Sequence, residues 1–196
     1  MTGCSLGSEF KFKMELLNEQ GEPPKIRVVV RKRPLNSKEE KKNDQDVLDI
    51  TGVGSMIVKE IKTKVDLTKF LEEHHFHFDN AFDLGAHNRE IYETCVQPLV
   101  AWTFKGAKTT CFAYGQTGSG KTFTMMGTPD GSNPGLYLLA AYDLIELLNA
   151  YEDLELYLSF YEIYCGKLFD LLNNRNPVTC REDGKQKVNI VGLTEI

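Results

Sequence analysis

Paired cysteine motifs are lacking in this chain, and positive charge is not in excess. The five cysteines, Cys4, Cys95, Cys111, Cys165 and Cys180, are odd in number, scattered, and never arranged Cys-x-x-Cys. That usage argues against a disulfide framework or a zinc knuckle, and it is what a reducing, cytosolic compartment predicts. A formal net charge of -5 argues against nucleic acid or an anionic membrane as the main partner. No apolar run approaches the length of a membrane span, and the first thirty or so residues hold no signal-peptide core, so a soluble protein is expected. Internal repeats and low-complexity tracts are absent too. What is there is 196 residues, 41% hydrophobic and 26% charged. That is one globular domain, or a large part of a bigger one, with enough apolar residues to bury a core.

The most specific stretch is Gly115-Gln116-Thr117-Gly118-Ser119-Gly120-Lys121-Thr122, which fits G-x-x-x-x-G-K-[ST], the phosphate-binding loop. It follows Thr110-Cys111-Phe112-Ala113-Tyr114, a short apolar run read as a buried strand. Phosphates can be surrounded by backbone N–H groups only where the chain turns tightly without Cβ atoms in the way, which Gly115, Gly118 and Gly120 permit. Lys121 would set a positive charge between the β and γ phosphates, and the Thr122 hydroxyl would ligate the bridging Mg²⁺. A helix opening over Lys121–Met126 would add its N-terminal partial charge.

Read in order, Met1–Phe10 has the look of a vector remnant, and residues 1–24 together are that remnant and a linker. Ile26–Val30 is β-branched and predicts a strand, closed by Arg31-Lys32-Arg33-Pro34-Leu35, a flat cationic and apolar surface suited to a purine. Asn36–Asn43 is a charged loop. Val47–Ile61, broken at Gly52 and Gly54, predicts small edge strands, with Lys62–Asp66 as a charged tip before Leu67–Phe70. Phe76–Asp79 predicts another strand, and His74, His75 and His77 are a solvated or strand-edge cluster rather than metal ligands. Ile91, Cys95, Leu99 and Trp102 share a helical face over His87–Lys105, capped by Asn88 and kinked at Pro98. Helical spacing resumes over Leu136–Leu148 after a breaker-rich loop. Leu154–Phe160 alternates as a strand, Lys167–Leu172 predicts a short turn of helix, and Cys180–Val191 a β-hairpin around Asp183-Gly184.

Taken together, these residues resemble the kinesin motor domain from about Lys25 to the end. The resemblance rests on Arg31–Leu35, Phe78-Asp79 with Ala81-Phe82-Asp83, Thr110–Thr122 with Thr124-Met125, and Ser159–Tyr164 with Leu168–Leu172. Lys64-Val65-Asp66-Leu67-Thr68-Lys69 resembles the extended loop of the internal-motor, microtubule-depolymerising branch, the kinesin-thirteen family. The resemblance implies an α/β P-loop NTPase fold, a central mixed sheet flanked by helices, with residues 25–196 as the amino-terminal portion of the motor domain. It implies ATP and Mg²⁺ as cofactors: Arg31, Arg33 and Pro34 around adenine, Phe123 where many members carry histidine, Gly115–Thr122 on the phosphates, and Lys121 as the catalytic cation. It implies tubulin as partner, with Lys64, Val65 and Asp66 at the contact. A microtubule cytoskeleton and spindle location follows, with any dimerising coiled coil outside this stretch.

The family's serine-rich and Asp-Leu-Ala-Gly-x-Glu switch segments have no counterpart in residues 1–196. An isolated 196-residue chain is therefore expected to turn over little or no ATP, since phosphoryl transfer needs those positioning groups. Two alternatives stay open from sequence: a non-catalytic nucleotide- and tubulin-binding fragment, and an unrelated P-loop NTPase.

Overall fold

A computed structural model describes residues 24–149 and 151–196. The proposed vector remnant and linker lie outside the described residues, except for Pro24. Two compact units divide the chain, one ending at Glu146 and the other spanning Leu147–Ile196.

The first unit opens with β1 (Val29–Arg31), α1 (Ser37–Lys41) and β2 (Leu48–Ile50), then the long strands β3 (Ser55–Thr63) and β4 (Lys69–His77), then β5 (Asn80–Phe82). β1 and β5 pair in parallel, with Val30 opposite Ala81. β2, β3 and β4 form a separate antiparallel sheet in which nine consecutive residues pair, from Ser55↔His77 to Thr63↔Lys69. At about 3.4 Å per residue that hairpin is a lever about 30 Å long. α1 stands where a loop was expected. Its N-terminus is a capping box: the Asn36 side chain accepts from the Lys38 and Glu39 amides, and Glu39 accepts from the Asn36 amide at 2.8 Å. The Asn-x-x-Glu spacing is the signal for it.

Next come α2 (Asn88–Ile91), a π turn (Tyr92–Val96) and α3 (Gln97–Thr103), running on without a break. Proline 98 has no N–H to give, and one turn before it the ladder widens, with the Gln97 amide donating to the Tyr92 carbonyl. The expected kink is absorbed as that π turn. The extra residue shifts the buried face by one position, so Ile91, Tyr92, Val96 and Val100 are buried, while Leu99 and Trp102 are only half-buried. Asn88 is not the cap either; His87 occupies that position without a side-chain bond.

α4 (Lys121–Met126) and α5 (Leu136–Leu148) follow as predicted. Phe82, Ile91, Tyr92, Val96, Met125, Leu136 and Leu139 form the core, and the half-buried Ala113 packs against it. The Tyr92 hydroxyl donates to Asp143 at 2.5 Å, and Gln97 donates to the same oxygen at 3.0 Å, fastening α5 to the π turn and α3. The loop between α4 and α5 closes through a Gly127↔Pro134 bridge. Gly127 sits at φ +84, and a Cβ there would lie 2.2 Å from the Asn133 carbonyl oxygen. Gly127→Ala should therefore cost at least about 2 kcal/mol and lower the melting midpoint by about 5 °C or more, measured by circular dichroism.

Two expected strands of the central sheet are not laddered. Residues 108–115 take no regular secondary structure and make no backbone hydrogen bond to another segment among the described residues, and Phe112 and Tyr114 are 79% and 96% exposed. The buried-strand expectation for Thr110–Tyr114 is corrected here: apolar composition buries a strand only when neighbours supply hydrogen bonds on its edges and cover its faces. Only Ala113 finds the core.

In the second unit, Leu154–Phe160 likewise forms no regular strand and is mostly exposed, held by paired Leu158–Ile196 backbone bonds at 2.8 and 3.1 Å and by the Leu171 amide on the Phe160 carbonyl at 2.8 Å. β6 (Tyr161–Tyr164), β7 (Lys167–Asp170), β8 (Asn176–Glu182) and β9 (Val188–Val191) form an antiparallel meander. β7 replaces the expected turn of helix. Cys165 at φ +50 and Gly166 at φ +72 make a two-residue turn whose positive φ values match the strand twist, which returns Leu168 onto Ile163. The predicted Cys180–Val191 hairpin is present, joined through the Asp183 turn.

Candidate functional site

The loop from Gly115 to Gly120 takes the backbone shape its glycines allow. Gly118 lies at φ +81 and Gly120 at φ +95, a region that L side chains rarely occupy. Ser119 tucks its hydroxyl into the loop, where the oxygen is buried with no hydrogen-bond partner. An orphaned buried hydroxyl in a glycine-rich loop is an opening for an anion's oxygen. The Lys121 ammonium donates to the carbonyls of Gly115 at 2.7 Å and Gln116 at 2.8 Å, so it is folded across the loop's mouth. Gln116, Thr117 and Thr122 are exposed beside it. These residues fit a triphosphate with Mg²⁺ by donor set: amide N–H groups and a cation for the phosphates, a hydroxyl for a hard divalent metal. α4 has only six residues, so any attraction for phosphates would come from the loop amides and Lys121 rather than from a helix dipole.

The segment after β1 is brought to this loop. The Arg33 Cβ lies 3.9 Å from where a Cβ on Gly120 would be. Its guanidinium is held as a fork by the Glu39 carboxylate, at 2.7 and 2.6 Å, and donates to the Pro34 carbonyl at 2.8 Å. That hydrogen-bonded pairing, with the capping bond to Asn36 next, lowers the Glu39 carboxyl to about 2. A depressed carboxyl contributes stability above its unfolded value near 4.5 and loses it only as pH falls toward 2. Glu39 is therefore ionised, and able to accept both Arg33 bonds, at every physiological pH.

Arg31 points inward instead. It donates to Asn88 Oδ1 at 2.5 Å, Thr124 Oγ1 at 2.9 Å and the Ala86 carbonyl at 3.0 Å, with its guanidinium 5.1 Å above the Phe123 ring. Asn88, fully buried, also donates to the Phe123 and Pro134 carbonyls at 3.0 and 3.2 Å. Arg31 thus joins β1, α2 and α4, and presents the half-exposed Phe123. Sequence reasoning missed Glu39 and Asn88; a capping-box pattern announces the first, and nothing local announces the second.

Lys64, Val65 and Asp66 sit at the tip of the β3–β4 lever, beyond its last pair, Thr63↔Lys69. Val65 is fully exposed. The tip is shaped by its own bonds: the Lys64 amide donates to Thr68 at 2.9 Å, Leu67 to Lys64 at 2.9 Å, and Asp66 Oδ1 accepts from the Thr68 amide and hydroxyl at 3.0 and 2.6 Å. On the stem, Glu60 and Glu72 are directly opposed, with the Lys62 ammonium bonded to Glu72 and His74 Nε2 3.1 Å from Glu60. Lys62 already supplies the positive charge this cluster needs. His74 and His77, three apart on one strand, face opposite ways.

A protein-family model described as the kinesin motor domain matches residues 31–196. The chain belongs to the kinesin motor domain family. Among curated proteins it is 45% identical over 185 residues to the kinesin-like protein KIF24 of Homo sapiens, covering 93% of this chain and 13% of that protein. It is 49% identical over 174 residues to the kinesin-like protein KIN-13B of Arabidopsis thaliana, covering 87% and 24%. KIN-13A of Oryza sativa subsp. japonica matches at 47% over 175 residues, covering 87% and 20%. The chain thus spans a quarter or less of these relatives' length. Among solved structures, one of a fast kinesin, concerned with its ATPase mechanism and interactions with microtubules, superposes with a TM-score of 0.75 at 31% identity over 87% of this chain and 48% of that one. The P-loop kinesin fold is thereby established, and the KIN-13 relatives agree with the branch that the Lys64–Lys69 loop resembles.

Proposed function

We propose that this kinesin chain binds Mg-ATP at Gly115–Thr122, as the nucleotide-holding part of a motor that removes tubulin from microtubule ends. The observation that carries the reading is Lys121 folded across a glycine loop that encloses an orphaned serine oxygen. Lys121 would exchange the Gly115 and Gln116 carbonyls for β and γ phosphate oxygens, and Ser119 and its neighbouring amides would donate from below. Thr122 would hold the metal. Mg²⁺ supplies charge neutralisation between the outer phosphates. Arg33, Pro34 and Phe123 would flank the purine. Calorimetric titration of the 196-residue chain with Mg-ATP tests this: saturable heat is expected, and no heat from a chain that melts cooperatively overturns it.

A second reading, binding without catalysis, is favoured for the isolated chain because residues 1–196 contain neither switch segment. The expected result is Mg-ATP binding with no microtubule-stimulated phosphate release; turnover would sink it.

Tubulin contact is assigned to the exposed tip. Changing Lys64, Val65 and Asp66 together to alanine in a complete motor should abolish most tubulin removal, about 10-fold or more in rate. The melting midpoint should move by no more than about 2 °C, because exposed residues contribute little to folding. Unchanged removal would overturn the assignment.

A further inference from the structure

We infer that Glu39 is a positioning residue for nucleotide binding: it fixes the Arg33 guanidinium so that this kinesin chain gains affinity from the nucleoside and not only from the phosphates. The inference rests on the Mg-ATP reading above and adds a residue to it, on an element, α1, that was expected to be a loop.

The argument begins with the freedom an arginine ordinarily has. A half-exposed guanidinium on four rotatable bonds samples many orientations, and stacking on or bonding to a base requires one of them. Arg33 has lost that freedom. Both of its terminal nitrogens are held by the two oxygens of Glu39, at 2.7 and 2.6 Å, and one of them also donates to the Pro34 carbonyl. A two-point fork fixes the plane of the guanidinium, which a single contact does not.

Glu39 is in turn immobilised from the other side. The oxygen that receives Arg33 Nη1 also accepts the Asn36 amide at 2.8 Å, and Asn36 caps the Lys38 and Glu39 amides at 2.9 and 3.1 Å. Arg33, Asn36 and Glu39 therefore form one closed unit. It is moored beside the phosphate loop, since the Arg33 stem passes 3.9 Å from the position of a Cβ on Gly120. A purine attached to phosphates in that loop meets a plane already set, so less ordering entropy opposes binding. Pre-organisation of this kind acts on the base and leaves the phosphates' own contacts alone.

That separation defines the test. Affinities for Mg-ATP and for magnesium tripolyphosphate, which has no base or sugar, are measured by calorimetry for the 196-residue chain, for Glu39→Gln, for Arg33→Lys and for the double variant. Glu39→Gln keeps the size and one acceptor but removes the charge and the second acceptor of the fork; Arg33→Lys keeps the charge and removes the planar fork. Each is expected to weaken Mg-ATP about 10-fold and leave tripolyphosphate within about 2-fold, and the double variant should be no worse than either single one. Equal losses for both ligands would show a merely structural role and overturn the inference, as would wild-type ATP affinity in Glu39→Gln or additive losses in the double variant. Arg33→Lys keeps the proposal open to refutation if Glu39→Gln fails to fold. Absence of Mg-ATP binding by the unaltered, cooperatively melting chain would instead bring down the nucleotide reading itself, and this inference with it.

Discussion

Lys121→Ala is expected to weaken Mg-ATP binding at least 100-fold while leaving the chain folded. In the structure the ammonium is satisfied by two loop carbonyls, Gly115 and Gln116, both neutral acceptors that water can replace. Against a triphosphate the same group would face charged oxygens, and a hydrogen bond between charged partners contributes about 1.5–3 kcal/mol where a neutral one contributes about 1. Two such contacts convert to about 10²–10⁴ in affinity. The cost to the fold is small, because the lysine is not in the core and its two acceptors lie in an exposed loop. Calorimetry on the variant, with a thermal melt as control, measures both. An affinity within about 3-fold of the unaltered chain would mean that Lys121 stays on its carbonyls and that the phosphates are held elsewhere.

The parts of this architecture that could be read from sequence are those in which a few neighbouring residues determine their own backbone. The phosphate loop is legible because glycine at 115, 118 and 120 has a steric purpose. The β8–β9 hairpin is legible because alternation and turn residues lie within one stretch, whereas of the β3–β4 hairpin only β3 and the charged tip were expected, and the strand expected at Phe76–Asp79 is the end of a longer one, Lys69–His77. α4 and α5 are legible because breakers bound them. Where a long-range partner decides, reading failed: Thr110–Tyr114 has a strand's composition and no ladder among the described residues, and Leu154–Phe160 makes backbone bonds to other segments at Leu158 and Phe160 without forming a strand. The π turn before Pro98 defeated the helical face by one residue, since periodicity assumes 3.6 residues per turn throughout. β7 was lost to the Cys165–Gly166 turn, whose positive φ values are not a residue preference of cysteine.

The site divides the same way. The glycine turns of the loop were legible, but the partners that hold Arg31, Arg33 and Lys121 were not, because a side chain's partner is a property of the folded state. Asn88 shows this most sharply. It was read as a helix cap, the common role of an asparagine ahead of an apolar helical run. Instead it is the buried junction where Arg31 from β1 meets the Phe123 carbonyl of α4 and the Pro134 carbonyl of the loop beyond.

That junction makes the second large prediction. Asn88→Ala should destabilise the chain by about 3–5 kcal/mol, a large share of the 5–15 kcal/mol that holds a typical domain folded. The Pro134 carbonyl loses the side-chain donor it has in the structure, costing about 1–3 kcal/mol, and the Arg31 guanidinium loses a charged hydrogen bond of about 1.5–3 kcal/mol. The Phe123 carbonyl suffers less, because it also accepts the Gly127 amide at 3.1 Å. Asn88→Asp separates the two contributions: it keeps an acceptor for Arg31 but removes both donors, so its loss should fall between those of alanine and the unaltered chain. Because Arg31 also bonds Thr124 and covers Phe123, loosening the junction should free α4 at its base. Urea unfolding should therefore show the stability loss, and calorimetry a parallel fall in Mg-ATP affinity, with aspartate intermediate in both. A loss under about 1 kcal/mol for alanine would mean that water replaces the amide freely, and that α4 is held in place by its core contacts at Met125 alone.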